Sequence, residues 1–179
     1  IIIYLIDLYQ RWPDKAYPIS AVVVNPSLNR QESPAINGSR IIWSEYIQGY
    51  WQIILFDAKE RTRQQLTSNA QDHISPSISG DLVVWWEGDS GGADYAAGMN
   101  VVTGEVIRFP KERIACPKIS GKRVVWLGQF DLNTFLSPVI SYDTETQKQT
   151  VIGYEKLPGC PALSGNILVL RATRGDNKP

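Results

Sequence analysis

The sequence has little of what catalytic, membrane-spanning or nucleic-acid-binding proteins use. It holds one histidine, one methionine and two cysteines in 179 residues. Lysine plus arginine and aspartate plus glutamate both total 18, so the basic surplus typical of nucleic-acid binders is absent. No apolar run approaches the ~18 residues of a membrane span, and no segment keeps an apolar stripe of 3.6-residue period. We therefore expect no nucleic-acid partner, no membrane span and almost no helix.

The sequence does contain a ten-residue repeat in four copies. Each copy has Pro first, Ile or Leu third, Gly fifth and an apolar triplet last, and three triplets end in Trp. The prolines are at positions 34, 76, 117 and 161, which are 42, 41 and 44 residues apart. The copies read PAINGSRIIW (34–43), PSISGDLVVW (76–85), PKISGKRVVW (117–126) and PALSGNILVL (161–170). Strand signals at this period are typical of propeller blades.

The chemistry of each position predicts two strands joined by a tight turn. Proline lacks a backbone donor, which suits the first residue of a strand. The Gly, flanked by polar residues, is typical of a hairpin turn, and the unbroken apolar triplet indicates a strand covered on both faces. A third strand ending at Asp57, Asn100 or Asp143 and a short fourth strand follow. The prediction is an all-β propeller of ~42-residue, four-stranded blades.

We expect one domain over 1–179, with complete blades at about 34–75, 76–116 and 117–160 and partial blades at 1–33 and 161–179. The last segment supplies the first two strands of a blade, and the first segment supplies the last two. About four blades therefore form either a closed ring or an arc of a larger propeller. Because position 1 is Ile1, we also expect a processed product, a domain or a fragment.

The two cysteines occupy equivalent repeat positions. Cys116 and Cys160 each precede a repeat proline, where the first two copies have Ser33 and Ser75. The favoured interpretation is a slot for a small residue. The alternative is a disulfide between neighbouring blades, which requires Cα atoms within roughly 7 Å.

The motif Gly88-Asp89-Ser90-Gly91-Gly92 matches the G-x-S-x-G nucleophile elbow. The elbow needs a following helix, whereas the repeat places a strand there. The only histidine, His73, has no triad context, and we expect it in a solvent-exposed loop. Carboxylates in the Gly-rich loop could hold Ca²⁺, but their spacing fits no EF-hand. We therefore assign no catalytic residue, metal site or cofactor.

Aromatic residues outside the repeat provide the only binding candidates. Trp43, Trp85 and Trp126 belong to the repeat and are assigned to the core. The candidate binding residues are aromatic or acidic and lie near the turns after the repeat tryptophans: Tyr50, Trp51, Trp86, Asp89 and Asp94. Such a surface would bind a protein or a glycan. The alternative is additional packing between blades.

The repeat, followed by a strand ending in Tyr-Asp and a Thr-x-Thr-type turn, resembles the TolB-like propeller repeats of the cell envelope and of prokaryotic surface proteins. The resemblance covers 34–170 closely and 1–33 weakly. It implies a non-enzymatic propeller in the periplasm or at the cell surface that mediates protein association. Two alternatives stay open: a gate or substrate-binding propeller of a larger hydrolase or peptidase, and a spacer in a surface array.

Overall fold

The computed structural model describes residues 4–7, 20–23, 27–88, 94–107, 109–110, 112–156 and 159–170. Within these residues it contains strands and turns and no helix, as the sequence predicts. The described strands, in chain order, are β1 Tyr4–Asp7, β2 Ser20–Val23, β3 Gln31–Asn37, β4 Arg40–Ile47, β5 Tyr50–Asp57, β6 Thr62–Gln65, β7 Asp72–Ser79, β8 Leu82–Gly88, β9 Asp94–Asn100, β10 Val106–Ile107, β11 Ile114–Ser120, β12 Arg123–Gly128, β13 Ser137–Asp143, β14 Gln149–Glu155, β15 Ala162–Ser164 and β16 Ile167–Val169.

The strands form three four-stranded antiparallel sheets and two hairpins. Blade 1 is β3–β6, blade 2 is β7–β10 and blade 3 is β11–β14, each in simple meander order. The N-terminal hairpin (β1–β2) and the C-terminal hairpin (β15–β16) are separate two-stranded sheets. The fold is an all-β propeller in which the described sheets are not closed into a ring, and of the two predicted arrangements this is consistent with the arc.

In blades 1 to 3 the repeat proline lies inside the first strand, so its predicted place at the strand start is wrong there; in the C-terminal hairpin Pro161 directly precedes β15. In blade 1 the register passes from Glu32 opposite Ser44 to Ala35 opposite Ile42, which leaves two residues facing Trp43 alone. This is a β-bulge, where proline is tolerated because the ladder is interrupted. Blades 2 and 3 repeat the bulge before Ser77 and Lys118. The first and last positions of the repeat are thus partners across one hairpin.

The bulge also explains why a small residue precedes each proline. Ser33, Ser75 and Cys116 all have φ between 53° and 54°. This left-handed conformation is costly for β-branched or bulky side chains. The same left-handed backbone conformation recurs at this position in all three blades, so the repeat favours a small residue there.

The apolar triplets form the core between blades. The ninth repeat position of each blade packs against the third, eighth and tenth positions of the next. In blade 1, for example, Ile42 packs against Ile78, Val83 and Trp85. We call the side of a blade toward the next blade its leading face and the opposite side its trailing face. The three repeat tryptophans are buried, as predicted.

The hairpin turns of the repeat bind one another. The side chain at the fourth repeat position accepts a hydrogen bond from the backbone N–H of the glycine in the next turn. The three such bonds are Gly80 N to Asn37 Oδ1 at 2.9 Å, Gly121 N to Ser79 Oγ at 2.8 Å and Gly165 N to Ser120 Oγ at 2.8 Å. These glycines have φ of 55–58°, so they also provide the conformation that the turn requires.

Cys116 and Cys160 form a disulfide with Cα atoms 5.2 Å apart. Of the two interpretations of these positions, the structure therefore supports the bridge. The bond joins β11 of blade 3 to the segment that leads into the C-terminal hairpin. It cross-links neighbouring blades at the position where Ser33 and Ser75 stand in the other copies. No helix of the described residues is long and apolar enough to cross a membrane.

Candidate interaction face

Two ends of the arc can be distinguished from the strand directions. The repeat turns, joined by the hydrogen bonds above, lie at one end. Because the strands are antiparallel, the turns between second and third strands lie at the opposite end, which we call the upper face. It carries the ends of β4, β8 and β12 and the connections between blades, such as 66–71. The predicted site residues Tyr50, Trp51 and Asp94 begin β5 and β9 on this face.

An aromatic cluster stands on the upper face of blade 1. Tyr46 and Trp51 are direct cross-strand partners, and their rings meet edge to face with centroids 5.4 Å apart. The Arg30 guanidinium carbon lies 5.4 Å from the centroid of the Trp51 ring, within the range of a cation–π contact. Tyr46 and Tyr50 are exposed and Trp51 is half-buried. The cluster therefore presents aromatic surface on a strand-supported hairpin.

Backbone contacts hold this cluster to its neighbours. The Tyr46 N–H donates to the Arg30 carbonyl at 2.9 Å, which fixes the arginine beside the rings. The Trp51 N–H donates to Asp72 Oδ1 at 2.8 Å, so blade 2 supports the start of β5. The Gln52 side chain donates to the carbonyl of Asn69 at 2.9 Å, in the connection between these blades.

Glu45 precedes Tyr46 on β4 and faces the other side of the sheet, and its carboxylate is almost fully removed from solvent. Trp43 Nε1 donates to it at 3.0 Å, Asn29 Nδ2 at 3.0 Å and Ser27 Oγ at 2.8 Å, and Arg63 Nη2 lies 3.2 Å away. Burial alone would raise the pKa of Glu45, but these donors and the Arg63 charge outweigh it and lower the pKa. An ionised carboxylate thus holds a buried polar network on the face of blade 1 opposite to Tyr46 and Trp51.

The equivalent place in blade 2 holds His73 and Glu87. His73 is buried in β7, so its predicted location in a solvent-exposed loop is wrong. Its Nδ1 lies 3.3 Å from Glu87 Oε2, its Nε2 meets Asn69 Oδ1, and its ring packs edge to face on Trp85. The hydrogen bond with His73 is the main reason that the pKa of Glu87 is lowered. The sequence before Pro76 does not indicate that His73 is buried, because the β-bulge that lets the strand continue through this proline cannot be predicted from local sequence.

Trp86 lies on β8, and the structure turns it toward blade 3. Its Nε1 donates to the Ile114 carbonyl at 3.0 Å, and its ring packs against the core between blades 2 and 3. No ring contact among the described residues joins it to Tyr46 or Trp51. Asp89 and the Ser90 motif lie outside the described residues; the backbone of Asp94 pairs with Gly88, and its side chain is not described.

Blade 3 carries a second exposed aromatic surface that the sequence analysis missed. Its β12–β13 loop is closed by the Asp131–Leu136 bridge and brings Phe130 and Phe135 to a centroid distance of 6.2 Å. Leu132 and Phe135 are strongly exposed. The backbone N–H of Asn133 and the hydroxyl of Thr134 donate to Asp131 and lower its pKa, so its carboxylate caps the loop. The sequence feature that could have indicated this surface is the pair of phenylalanines, Phe130 and Phe135, five residues apart between two predicted strands.

An open cavity of about 410 Å³ adjoins this loop. Its lining is mostly apolar and includes Ile114, Leu127, Gly128 and Phe130, with Arg113 at one side. No three His, Cys, Asp or Glu side chains of the described residues lie close enough to hold a metal ion. The upper face therefore offers aromatic and apolar contact surfaces, with an arginine beside each.

Comparisons with known proteins agree on the fold. No protein-family model matches the sequence, and no curated protein matches it significantly. TolB from Acinetobacter baumannii aligns with a TM-score of 0.68 at 18% identity over 89% of this chain and 41% of TolB. The propeller domain of the trilobed protease from Pyrococcus furiosus, which has an open velcro topology, aligns with a TM-score of 0.68 at 11% sequence identity. The alignment covers 86% of this chain and 51% of that domain. A puromycin-hydrolyzing peptidase from Mycobacterium tuberculosis aligns with a TM-score of 0.59 at 17% sequence identity. The alignment covers 75% of this chain and 23% of the peptidase.

These similarities confirm that the chain has the β-propeller fold of TolB and of peptidase propeller domains, as the repeat suggested. The chain spans about half or less of the length of each of these proteins. At identities below one in five, the likeness concerns the fold and leaves the site residues to be argued from this chain.

Proposed function

We propose that this chain is a non-enzymatic propeller module that binds a protein partner through its upper face. The observation that carries the proposal is the edge-to-face pair of Tyr46 and Trp51 beside Arg30, with Tyr50 exposed at the start of the same strand as Trp51. Tyrosine, tryptophan and arginine dominate the energetic centres of protein interfaces. Here these residues belong to strands, or to a segment held to a strand by a backbone hydrogen bond, so little conformational freedom is lost when a partner binds.

The second aromatic surface extends the proposed interface. Phe135 and Leu132 on blade 3 lie at the same end of the arc as the blade 1 cluster, and the 410 Å³ cavity beside them suits an apolar side chain. Trp86 and the backbone of Asp94 belong to blade 2, between these two surfaces, and a partner that touches both surfaces would pass over this blade. Asp89 remains a candidate from the sequence.

We further propose that the module works outside the cytoplasm. The Cys116–Cys160 disulfide supports this location, because such bonds persist in oxidising compartments. The fold shared with TolB supports it as well.

Peptide display tests the interface. A random-peptide phage library would be selected on the wild-type chain, and the selected peptides measured on the Tyr46→Ala/Tyr50→Ala variant. We expect affinity to fall at least tenfold, about 1.4 kcal/mol. The matched control is Tyr154→Ala, an exposed tyrosine on the outer strand of blade 3, which should leave affinity unchanged. Peptides insensitive to the first variant would contradict the proposal, and binding to a glycan array alone would assign the cluster to sugars.

A second candidate function is a gate or substrate-binding propeller of a larger peptidase. The similarity to the puromycin-hydrolyzing peptidase, of which this chain covers 23%, supports it. Under this alternative the upper face would contact a hydrolase domain of the same polypeptide. Reading the coding sequence beyond residue 179 distinguishes the two candidates.

A further inference from the structure

An arginine at the seventh repeat position joins the repeat turn of one blade to the turn of the next. At the junction of blades 1 and 2, Arg40 Nη1 donates to the Gly80 carbonyl at 3.2 Å and to the Asp81 carboxylate. In blade 3 the same repeat position holds Arg123, whose Nη1 donates to Asn166 Oδ1 in the turn of the C-terminal hairpin at 3.3 Å. The junctions before blade 2 and after blade 3 are therefore bridged in the same way.

The junction of blades 2 and 3 has no such arginine. Leu82 occupies the seventh repeat position of blade 2, and a leucine side chain cannot donate a hydrogen bond to the neighbouring turn. Lys122 stands in the turn of blade 3 where Asp81 stands in the turn of blade 2. An open cavity of about 440 Å³ lies at this junction, and its lining includes Leu82, Lys122 and Asn100. The cavity thus lies where an arginine bridges the turns of the other junctions.

The lining of this cavity combines apolar side chains with carboxylates. Leu82, Val106 and Ile107 supply the apolar surface, and Val106 is 66% exposed. Glu105 and Glu145 supply the carboxylates. This combination suits the side chain of an arginine, because its methylene stem packs on apolar surface while its planar guanidinium binds carboxylates.

The charges around the cavity leave one carboxylate without a counterion. Glu145 forms an ion pair with Lys122. Within the described part of the chain, the Glu105 side chain takes part in no ion pair or hydrogen bond. Two carboxylates and one ammonium group therefore give the cavity a surplus of one negative charge, which a guanidinium would balance.

Backbone hydrogen bonds fix both walls of the cavity. The Val101 N–H donates to the Asp81 carbonyl at 2.8 Å, which ties the β9–β10 turn to the repeat turn of blade 2. The Thr144 N–H donates to the Lys122 carbonyl at 2.9 Å and ties the β13–β14 turn to the repeat turn of blade 3. Walls that are already in place lower the cost of accepting a side chain.

We propose that the cleft between the repeat turns of blades 2 and 3 binds an arginine side chain of a protein partner. Its guanidinium would lie at Glu105 and Glu145 and its methylene stem against Leu82. The partner would thereby supply the group that Arg40 and Arg123 supply at the other junctions. The cleft lies at the end of the arc opposite to the upper face, so the proposal is independent of the aromatic residues there.

A titration followed by the amide signals of the isotope-labelled chain in NMR tests the proposal. The probe is the capped peptide acetyl-Gly-Arg-Gly-amide. We expect shifts confined to 100–107, 121–122 and 144–147, with a dissociation constant in the millimolar range. The same peptide with citrulline, which keeps the shape of arginine without its charge, should cause no such shifts. The peptide with lysine should bind more weakly, because an ammonium group cannot pair with carboxylates through two parallel hydrogen bonds.

Three variants locate the binding. Glu105→Gln should raise the dissociation constant of the arginine peptide about fivefold, as expected for the loss of a partly exposed charge pair. Leu82→Arg supplies the missing arginine from the chain itself and should abolish binding. The matched control is Glu60→Gln, which removes an exposed carboxylate from the corresponding turn of blade 1 and should leave the dissociation constant unchanged.

Failure of the arginine peptide to bind, equal shifts with the citrulline peptide, or an unchanged dissociation constant in Glu105→Gln would overturn the proposal. Retained binding by a folded Leu82→Arg chain would overturn it as well, because the peptide would then bind elsewhere. Equal affinity for the lysine peptide would overturn the assignment to arginine. Tighter binding of free L-arginine than of the capped peptide would overturn the assignment to a protein partner.

Discussion

Blades 1 and 2 differ from blade 3 at one pair of repeat positions. In each blade, the residue three positions before the repeat proline pairs across the hairpin with the residue two positions after the repeat tryptophan. This pair is Gln31–Glu45 in blade 1, His73–Glu87 in blade 2 and Ile114–Gly128 in blade 3. The first two pairs are polar, with Gln31, Glu45 and His73 buried and Glu87 half-buried, whereas the third is apolar and borders an open cavity. The same backbone therefore supports two chemistries beneath the upper face.

The difference shows which positions the fold requires and which it leaves free. The bulge, the turn and the triplet recur because they form the strands and the contacts between blades. The pair beneath the upper face is free to vary, so it can adapt each blade to what lies above it. In blade 1 this pair belongs to the buried network around Glu45, and in blade 3 Ile114 and Gly128 line the open cavity.

Removing the carboxylate of blade 1 should have the largest effect on stability. Glu45→Ala leaves donors from Trp43, Asn29 and Ser27 and the Arg63 charge without their acceptor. We expect a loss of about 4 kcal/mol in the free energy of unfolding, measured by urea denaturation. The matched control is Glu145→Ala: this exposed carboxylate pairs with Lys122 at the surface and should cost less than about 1 kcal/mol. Equal losses for the two variants would show that Glu45 is not an organising centre.

Blade 3 has a covalent bond where the other blades have serine. Replacing Cys116 and Cys160 together by serine should lower stability by about 3 kcal/mol, because the bond closes a loop of 44 residues in the unfolded chain. The loss should appear first as faster amide hydrogen exchange in β15 and β16, since few other contacts hold this hairpin. Unchanged exchange there would show that the apolar packing of Leu163 and Leu168 suffices.

Gly128 separates blade 3 from blade 2 most sharply, because Glu87 stands at the equivalent place. A Cβ at Gly128 would lie 2.7 Å from Pro138 Cγ and 3.0 Å from Ile140 Cδ1. Gly128→Ala should therefore destabilise the chain by about 2 kcal/mol through overpacking. Gly153→Ala in β14 of the same blade is the control, since nothing lies within 4 Å of its added Cβ. A Gly128 variant as stable as this control would mean that Pro138 gives way easily.

The sequence predicted the fold far better than the site. The period, the Gly-centred turns and the buried triplets follow from local chemistry, so four-stranded blades could be foreseen. The bulge could not, because it depends on how Pro34 and Trp43 meet across the hairpin. Because the bulge could not be predicted, neither the burial of His73 nor the pairing of Glu45 with Gln31 could be predicted from the sequence. The place of Tyr50 and Trp51 beside a turn of the upper face follows from local sequence, whereas the direction of Trp86 depends on tertiary contacts. A binding role for these residues stays a prediction.

The smallest expected effect concerns pH, and it too distinguishes the blades. The pKa values of Glu45 and Glu87 are lowered in the folded chain, so their ionised forms stabilise it. Their contribution is complete above the ordinary value of about 4.5 and is lost as the pH falls through the lower folded values. Replacing His73 by Ile, the blade 3 residue, removes the main cause of the shift at Glu87. The urea midpoint of this variant should therefore fall less steeply below pH 4.5 than that of the wild type. An unchanged slope would show that the His73–Glu87 pair serves packing only and that the acid sensitivity comes from other carboxylates with lowered pKa values, such as Glu45 and Asp131.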